Sequence, residues 1–218
     1  MTAVRWGVCA TLFFTFFAGG KHPEPAGLSP EQALMRLKSG NARYVTGQCV
    51  HPNQDDLARL GAAKGQKPYA IVVGCADSRV PPEIVFDAGI GDLFVLRVAG
   101  NLVDNAVIGS IEYAVEHLGA RLLIVMGHER CGAVKATLDG AAADGHLGAL
   151  FEAIRPAVAK ARGKGGDELD LAVRINARLV AEELRSSKPI LEEKVKAKKL
   201  KVVAARYDLD SGVVELLD

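Results

Sequence analysis

Three side chains at alternate positions, Cys75, Asp77 and Arg79, close an apolar run, Tyr69-Ala70-Ile71-Val72-Val73-Gly74. In extended chain, residues two apart share a side, so a thiol, a carboxylate and a guanidinium can face one place. A second polar group, Gly127-His128-Glu129-Arg130-Cys131-Gly132, closes the apolar run Leu122 to Met126. Either half alone is equally a polar loop holding a half-buried cysteine. Two thiolates and one imidazole together suit zinc, which takes sulfur and nitrogen ligands tetrahedrally and keeps a position open when it is catalytic. Cys75, His128 and Cys131 are therefore the candidate metal ligands.

Those residues must be brought together across a long separation, since His128 lies 53 positions beyond Cys75. Apolar runs at 69–73, 93–96, 122–126, 202–205 and 213–217 read as strands, and 105–118 between the second and third has helical spacing. Continuous rather than alternating apolar character in the central strands fits a sheet covered on both faces. The expected fold class is α/β, a mostly parallel central β-sheet with flanking helices, closed by a hairpin at Asp210-Ser211-Gly212. In such a sheet both polar groups emerge at the carboxyl edge, where ligand sites form. A helix opening at Gly132 would favour a Cys131 thiolate through its dipole.

Other segments read as helices too. Ser29-Pro30-Glu31-Gln32 offers a capping box, with Gly40 as the expected stop. Residues 146–162 and 167–186 are helical in pattern, the tract 192–199 is the solvated face of a helix, and 46–68 reads as loop. Gly100-Asn101 reads as a tight turn after a strand.

With 27 basic and 26 acidic residues among 218, the formal charge of +1 argues against nucleic acid as a partner. Residues 1–20 stand apart: Arg5, then an acid-free apolar run from Trp6 to Phe17, then Ala18-Gly19-Gly20. That is the pattern of a secretory signal peptide, too short for the ~20 residues of a membrane span. An uncleaved anchor and a misassigned start codon are the alternatives. The expected organisation is a signal peptide at 1–20, a linker at 21–28 and one catalytic domain at 29–218, located in the periplasm or secreted, with the cytoplasm as alternative. Removal of the leader leaves Cys49, Cys75 and Cys131, an odd set that makes no disulfide framework.

C-x-D-x-R followed by G-H-x-x-C-G resembles the β-class carbonic anhydrase family. The likeness extends to Gly91 through Asn101, to Gly109-Ser110-Ile111-Glu112-Tyr113-Ala114-Val115 and to Gly132-Ala133-Val134. The resemblance implies a zinc enzyme for the reversible hydration of carbon dioxide to bicarbonate and a proton, assembled as a homodimer or higher homo-oligomer. It makes Cys75, His128 and Cys131 the zinc ligands and Asp77 with Arg79 a catalytic dyad. Asp77 then has two alternative roles: orienting the zinc-activated nucleophile while Arg79 holds it, or joining the metal as a fourth ligand in a closed state. Composition alone does not separate the closed site from a structural zinc site. Hydrolases of carbonyl sulfide or carbon disulfide share the metal constellation and are the alternative enzymes.

Gln66 is a candidate substrate donor by resemblance, with Gln54 as its competitor, and the Gly132 amide is another. Allosteric members carry tryptophan three residues before the first cysteine; here Val72 stands there, with Arg97 and Tyr207 as remaining partners of an inhibitory bicarbonate pocket. The expectation is that the pocket is missing. His22, His51, His117 and His146 read as solvent-facing, and Cys49 as a free thiol.

Overall fold

The computed structural model describes residues 27–217; the expected leader and all but the end of the linker lie outside these residues. Among the described residues no helix is long and apolar enough to cross a membrane. Among the described residues five strands form one sheet: β1 (Ala70–Gly74), β2 (Leu93–Arg97), β3 (Leu122–His128), β4 (Lys201–Tyr207) and β5 (Val214–Leu216). Their order is β2-β1-β3-β4-β5, with parallel pairing except between β4 and β5.

Every residue of β1 and β3 is buried, which explains their unbroken apolar runs. Side chains alternate between two cores. On one face Val72, Leu122, Ile124 and Met126 meet Leu37 of α1 (Pro30–Val45), Val85 of α3 (Pro82–Val85) and Ile154 of α6 (Leu147–Ala161). On the other, Ile71, Val73, Leu123 and Val125 meet Ile111 of α4 (Asn105–His117), Leu184 of α7 (Glu168–Ser186) and Leu191 of α8 (Ile190–Lys196). Each fully buried aliphatic side chain contributes about 1.5–3 kcal/mol, so the two faces together hold the strand register on which the site depends.

Helix α1 starts as expected: the Ser29 hydroxyl accepts from the Gln32 amide, and the Gln32 side chain accepts from the Ser29 amide. It does not stop at Gly40. That glycine is buried mid-helix, where a Cβ would lie 1.8 Å from the Phe86 carbonyl oxygen, so it serves a close approach of two backbones rather than a helix end. The segment expected as loop contains a short helix, α2 (Asp56–Ala62), capped by the Asp55 carboxylate at the Ala58 amide. None of its residues is buried, so it leaves no apolar periodicity to detect. The remaining helix, α5 (Gly132–Asp139), opens directly after Cys131.

Candidate metal centre

In the register of the parallel pair, Gly74 of β1 lies opposite Met126 of β3. The next residue of one chain segment is Cys75, and two residues on in the other is His128, so both leave the sheet at its carboxyl edge. Cys131 then returns as the N-cap residue of α5. All three are buried, and their ligand atoms lie within 4.8 Å of one another.

The imidazole shows what it is prepared for. Its Nδ1 lies 2.9 Å from the Glu129 carbonyl, which can only accept, so Nδ1 carries the proton and Nε2 the lone pair. Among the described residues Nε2 has no hydrogen-bond partner, although His128 is 0% exposed. A buried lone pair without a donor costs free energy unless a cation takes it. The sulfurs agree. The Cys131 thiol hydrogen bond pulls Cys75 down to about 4 against the opposing effect of burial, with the Asp77 and Gly100 amides helping. Cys131 is pushed up by the same bond and by burial. One proton shared by two sulfurs is what a divalent cation displaces, ionising both. The donor set therefore fits zinc.

Asp77 is held to one side of this cluster. Its Oδ1 accepts from Arg79 Nε and from the Arg79 amide, both at 2.9 Å, and Oδ2 accepts from Nη2 at 2.7 Å. The Arg79 guanidinium, despite some burial, holds the carboxyl well below the usual carboxylate range. Oδ2 remains 3.8 Å from His128 Nε2. Arg97 braces the same segment from β2, donating through Nε to the Cys75 carbonyl at 2.8 Å and through Nη2 to that of Asp77.

Gly132 is exposed at the first position of α5, with nothing within 4 Å of where a Cβ would stand. Gln66 is not drawn into the cluster within this chain: it is exposed and precedes β1, at the sheet edge opposite Cys75. Gln54 donates to the Ala88 carbonyl instead. His51, His117 and His146 are exposed, His22 lies outside the described residues, and Cys49 is half-buried and a free thiol among the described residues.

Backbone groups add what side-chain types could not announce. The Gly100 amide, in a 3-10 turn at Ala99–Asn101 where Gly100 has φ +70°, donates to Cys75 Sγ at 3.3 Å. The buried Asn176 of α7 holds the Gly100 carbonyl at 2.8 Å. A Gly-Asn turn in the sequence signalled the left-handed backbone, but no pattern linked it to the sulfur.

The fold and site together define an α/β protein with a buried Cys-His-Cys cluster, able to hold a metal ion, at the carboxyl edge of its sheet. The family model described as carbonic anhydrase matches residues 70–214. Carbonic anhydrase 2 of Mycobacterium tuberculosis is 41% identical over 194 residues, 87% of this chain and 94% of that protein. The carbonic anhydrase of Mycolicibacterium smegmatis is 41% identical over 194 residues, covering 86% and 93%. Among solved structures, a tetrameric β-carbonic anhydrase of Sordaria macrospora matches with a TM-score of 0.68 at 25% identity, over 84% of this chain and 95% of that one. The chain belongs to the β-carbonic anhydrase family.

Proposed function

We propose that this protein is a zinc-dependent carbonic anhydrase that interconverts carbon dioxide and bicarbonate. One observation carries the reading: a buried set of two sulfurs and an imidazole nitrogen without a hydrogen-bond partner among the described residues, beside a carboxylate that a guanidinium holds to one side. Cys75, His128 and Cys131 would hold the metal, and zinc bound there supplies the Lewis acidity that activates water at moderate pH.

The chain's own residues do the rest. Asp77, ionised and acceptor-only, receives a hydrogen bond from the attacking water and directs its lone pair at the carbon of carbon dioxide. Arg79 keeps that carboxylate from becoming a fourth ligand, which favours an open site over a structural one. The Gly132 amide, exposed at a helix start, suits the negative charge that grows on the substrate oxygens.

Stopped-flow hydration of carbon dioxide on metal-quantified protein tests the reading, with carbonyl sulfide and carbon disulfide hydrolysis run alongside. A full zinc complement with no hydration from about pH 6 to 9 would leave the structural role standing, and turnover of the sulfur compounds alone would favour the alternative enzyme.

The apolar segment after Arg5 supports export to the periplasm or medium. Sequencing the mature N-terminus after cell fractionation checks this, and an intact Met1 in the cytoplasm would refute it. The tetrameric relatives in Sordaria macrospora support a homo-oligomer, to be measured by analytical ultracentrifugation.

A further inference from the structure

The Arg79 guanidinium that holds Asp77 is itself held. Its Nη2 also donates to the carbonyl oxygen of Arg130, 3.3 Å away. Arg130 lies in the loop between His128 and Cys131 with φ +51°, a left-handed conformation that costs an L side chain free energy and is normally left to glycine or asparagine. Its side chain reaches across to the turn between β4 and β5, where Asp210 receives it through two bonds, 2.9 and 2.7 Å long.

That turn is rigid. The Asp208 carboxylate accepts from the Asp210 amide and from both the amide and hydroxyl of Ser211, and pairs with Arg206 at 2.7 Å. Arg206 is buried and also binds Asp170 of α7. Two further bonds tie the metal loop to the same strand end: the Glu129 amide donates to the Tyr207 carbonyl, and the Leu209 amide donates to Glu129 Oε2.

We propose that the Arg130–Asp210 pair is a positioning clamp: by holding the Arg130 backbone in its left-handed conformation, it aims the Arg130 carbonyl at Arg79 and so biases Asp77 away from the metal. The inference rests on the reading of Asp77 and Arg79 given above. Both side chains of the clamp are about half exposed or more, at 49% and 73%, so the pair is a weak anchor in stability terms. A weak anchor is enough to act on a carboxylate choosing between two nearby partners, because a population follows small differences in free energy.

Two variants test it, Asp210→Asn and Arg130→Ala, which remove the pair while keeping an L side chain, and so the backbone cost, at the left-handed position. In metal-free protein, exchange of the Arg79 Nε–H with solvent should quicken about threefold in both, matching the loss of one exposed ion pair. In cobalt(II)-loaded protein the visible absorption should move toward that of Arg79→Ala, in which Asp77 is released. Asp210→Glu should restore both signals, and the Tm of Asp210→Asn should stay within about 2 °C of the parent. Unchanged exchange and absorption in both variants, with Arg79→Ala still shifted, would overturn the clamp alone. An unshifted Arg79→Ala spectrum would overturn the Asp77 reading and the clamp with it.

Discussion

Asp77 accepts from two nitrogens of Arg79 at 2.9 and 2.7 Å, yet its Oδ2 is only 3.8 Å from Nε2 of His128. One carboxylate thus stands between a guanidinium and the candidate metal site. Replacing Arg79 by alanine removes the competitor and lets Asp77 close the centre. We expect zinc content to stay near one per chain while carbon dioxide hydration falls about 100-fold or more, a loss of the size seen when one aligned electrostatic contact is removed. Arg79→Lys, which offers one point charge in place of a fork, should fall between the two. Zinc analysis beside stopped-flow kinetics makes the comparison, and parental activity in Arg79→Ala would refute the assignment.

The same bond fixes which group can shape the pH profile. Arg79 lowers the Asp77 carboxyl, so Asp77 stays ionised throughout the range from about pH 5 upward and drops out as the titrating group. What remains is the water that zinc, if held by Cys75, His128 and Cys131, would activate. Two thiolates donate more negative charge to the metal than neutral imidazoles do, and the water is acidified less. The activity midpoint should therefore lie above the ~7 found with three histidines. A flat rate between about pH 6 and 9 would contradict this.

Bicarbonate should not act as an allosteric inhibitor. Val72 is 0% exposed within the core, Arg97 spends donors on the Cys75 and Asp77 carbonyls, and the Tyr207 hydroxyl lies 3.1 Å from that of Tyr44. The groups that would form a second anion pocket are engaged elsewhere or apolar. A crystal soaked in bicarbonate is expected to show no ion beside Val72, and density for one there would refute the expectation.

Stability has a separate test at Asp87, whose side chain is 0% exposed and accepts from Arg43 Nε at 2.6 Å and from the Val50 and His51 amides at 3.1 and 3.0 Å. Burial raises its carboxyl, but Arg43 and the two amides outweigh that and leave it below the usual range. Asparagine tolerates the local φ of +43° about as well, so Asp87→Asn removes charge without new backbone strain. The variant should lose about 2 kcal/mol at pH 7, lowering Tm by about 4–8 °C. Because the folded carboxyl is depressed, its contribution is complete above the unfolded value of ~4 and is lost as pH falls through the folded one. Melting curves at neutral and acid pH should therefore converge for the two proteins; a constant gap down to about pH 2 would exclude this linkage.

The residue types and spacings were enough to determine several things. Unbroken apolar runs marked the buried strands, because a strand covered on both faces has no polar side to show. The Ser29 to Gln32 pattern marked the start of α1, since capping needs only contacts three residues apart. Cys75, His128 and Cys131, which the fold brings into one buried cluster, stood out as candidate ligands because zinc selects ligands by atom type. Tertiary structure alone decided the rest. Gly40 looked like a helix stop until the Phe86 backbone was placed against it, and Gln66 lies at the far end of its strand from Cys75. The Arg79 that holds Asp77 also reaches the Arg130 carbonyl, on a left-handed backbone whose side chain meets Asp210, 80 positions beyond Arg130. Carbonyls and amides are the same at every residue, so only the strand order and the turn that follows β4 specify which of them reaches the metal centre.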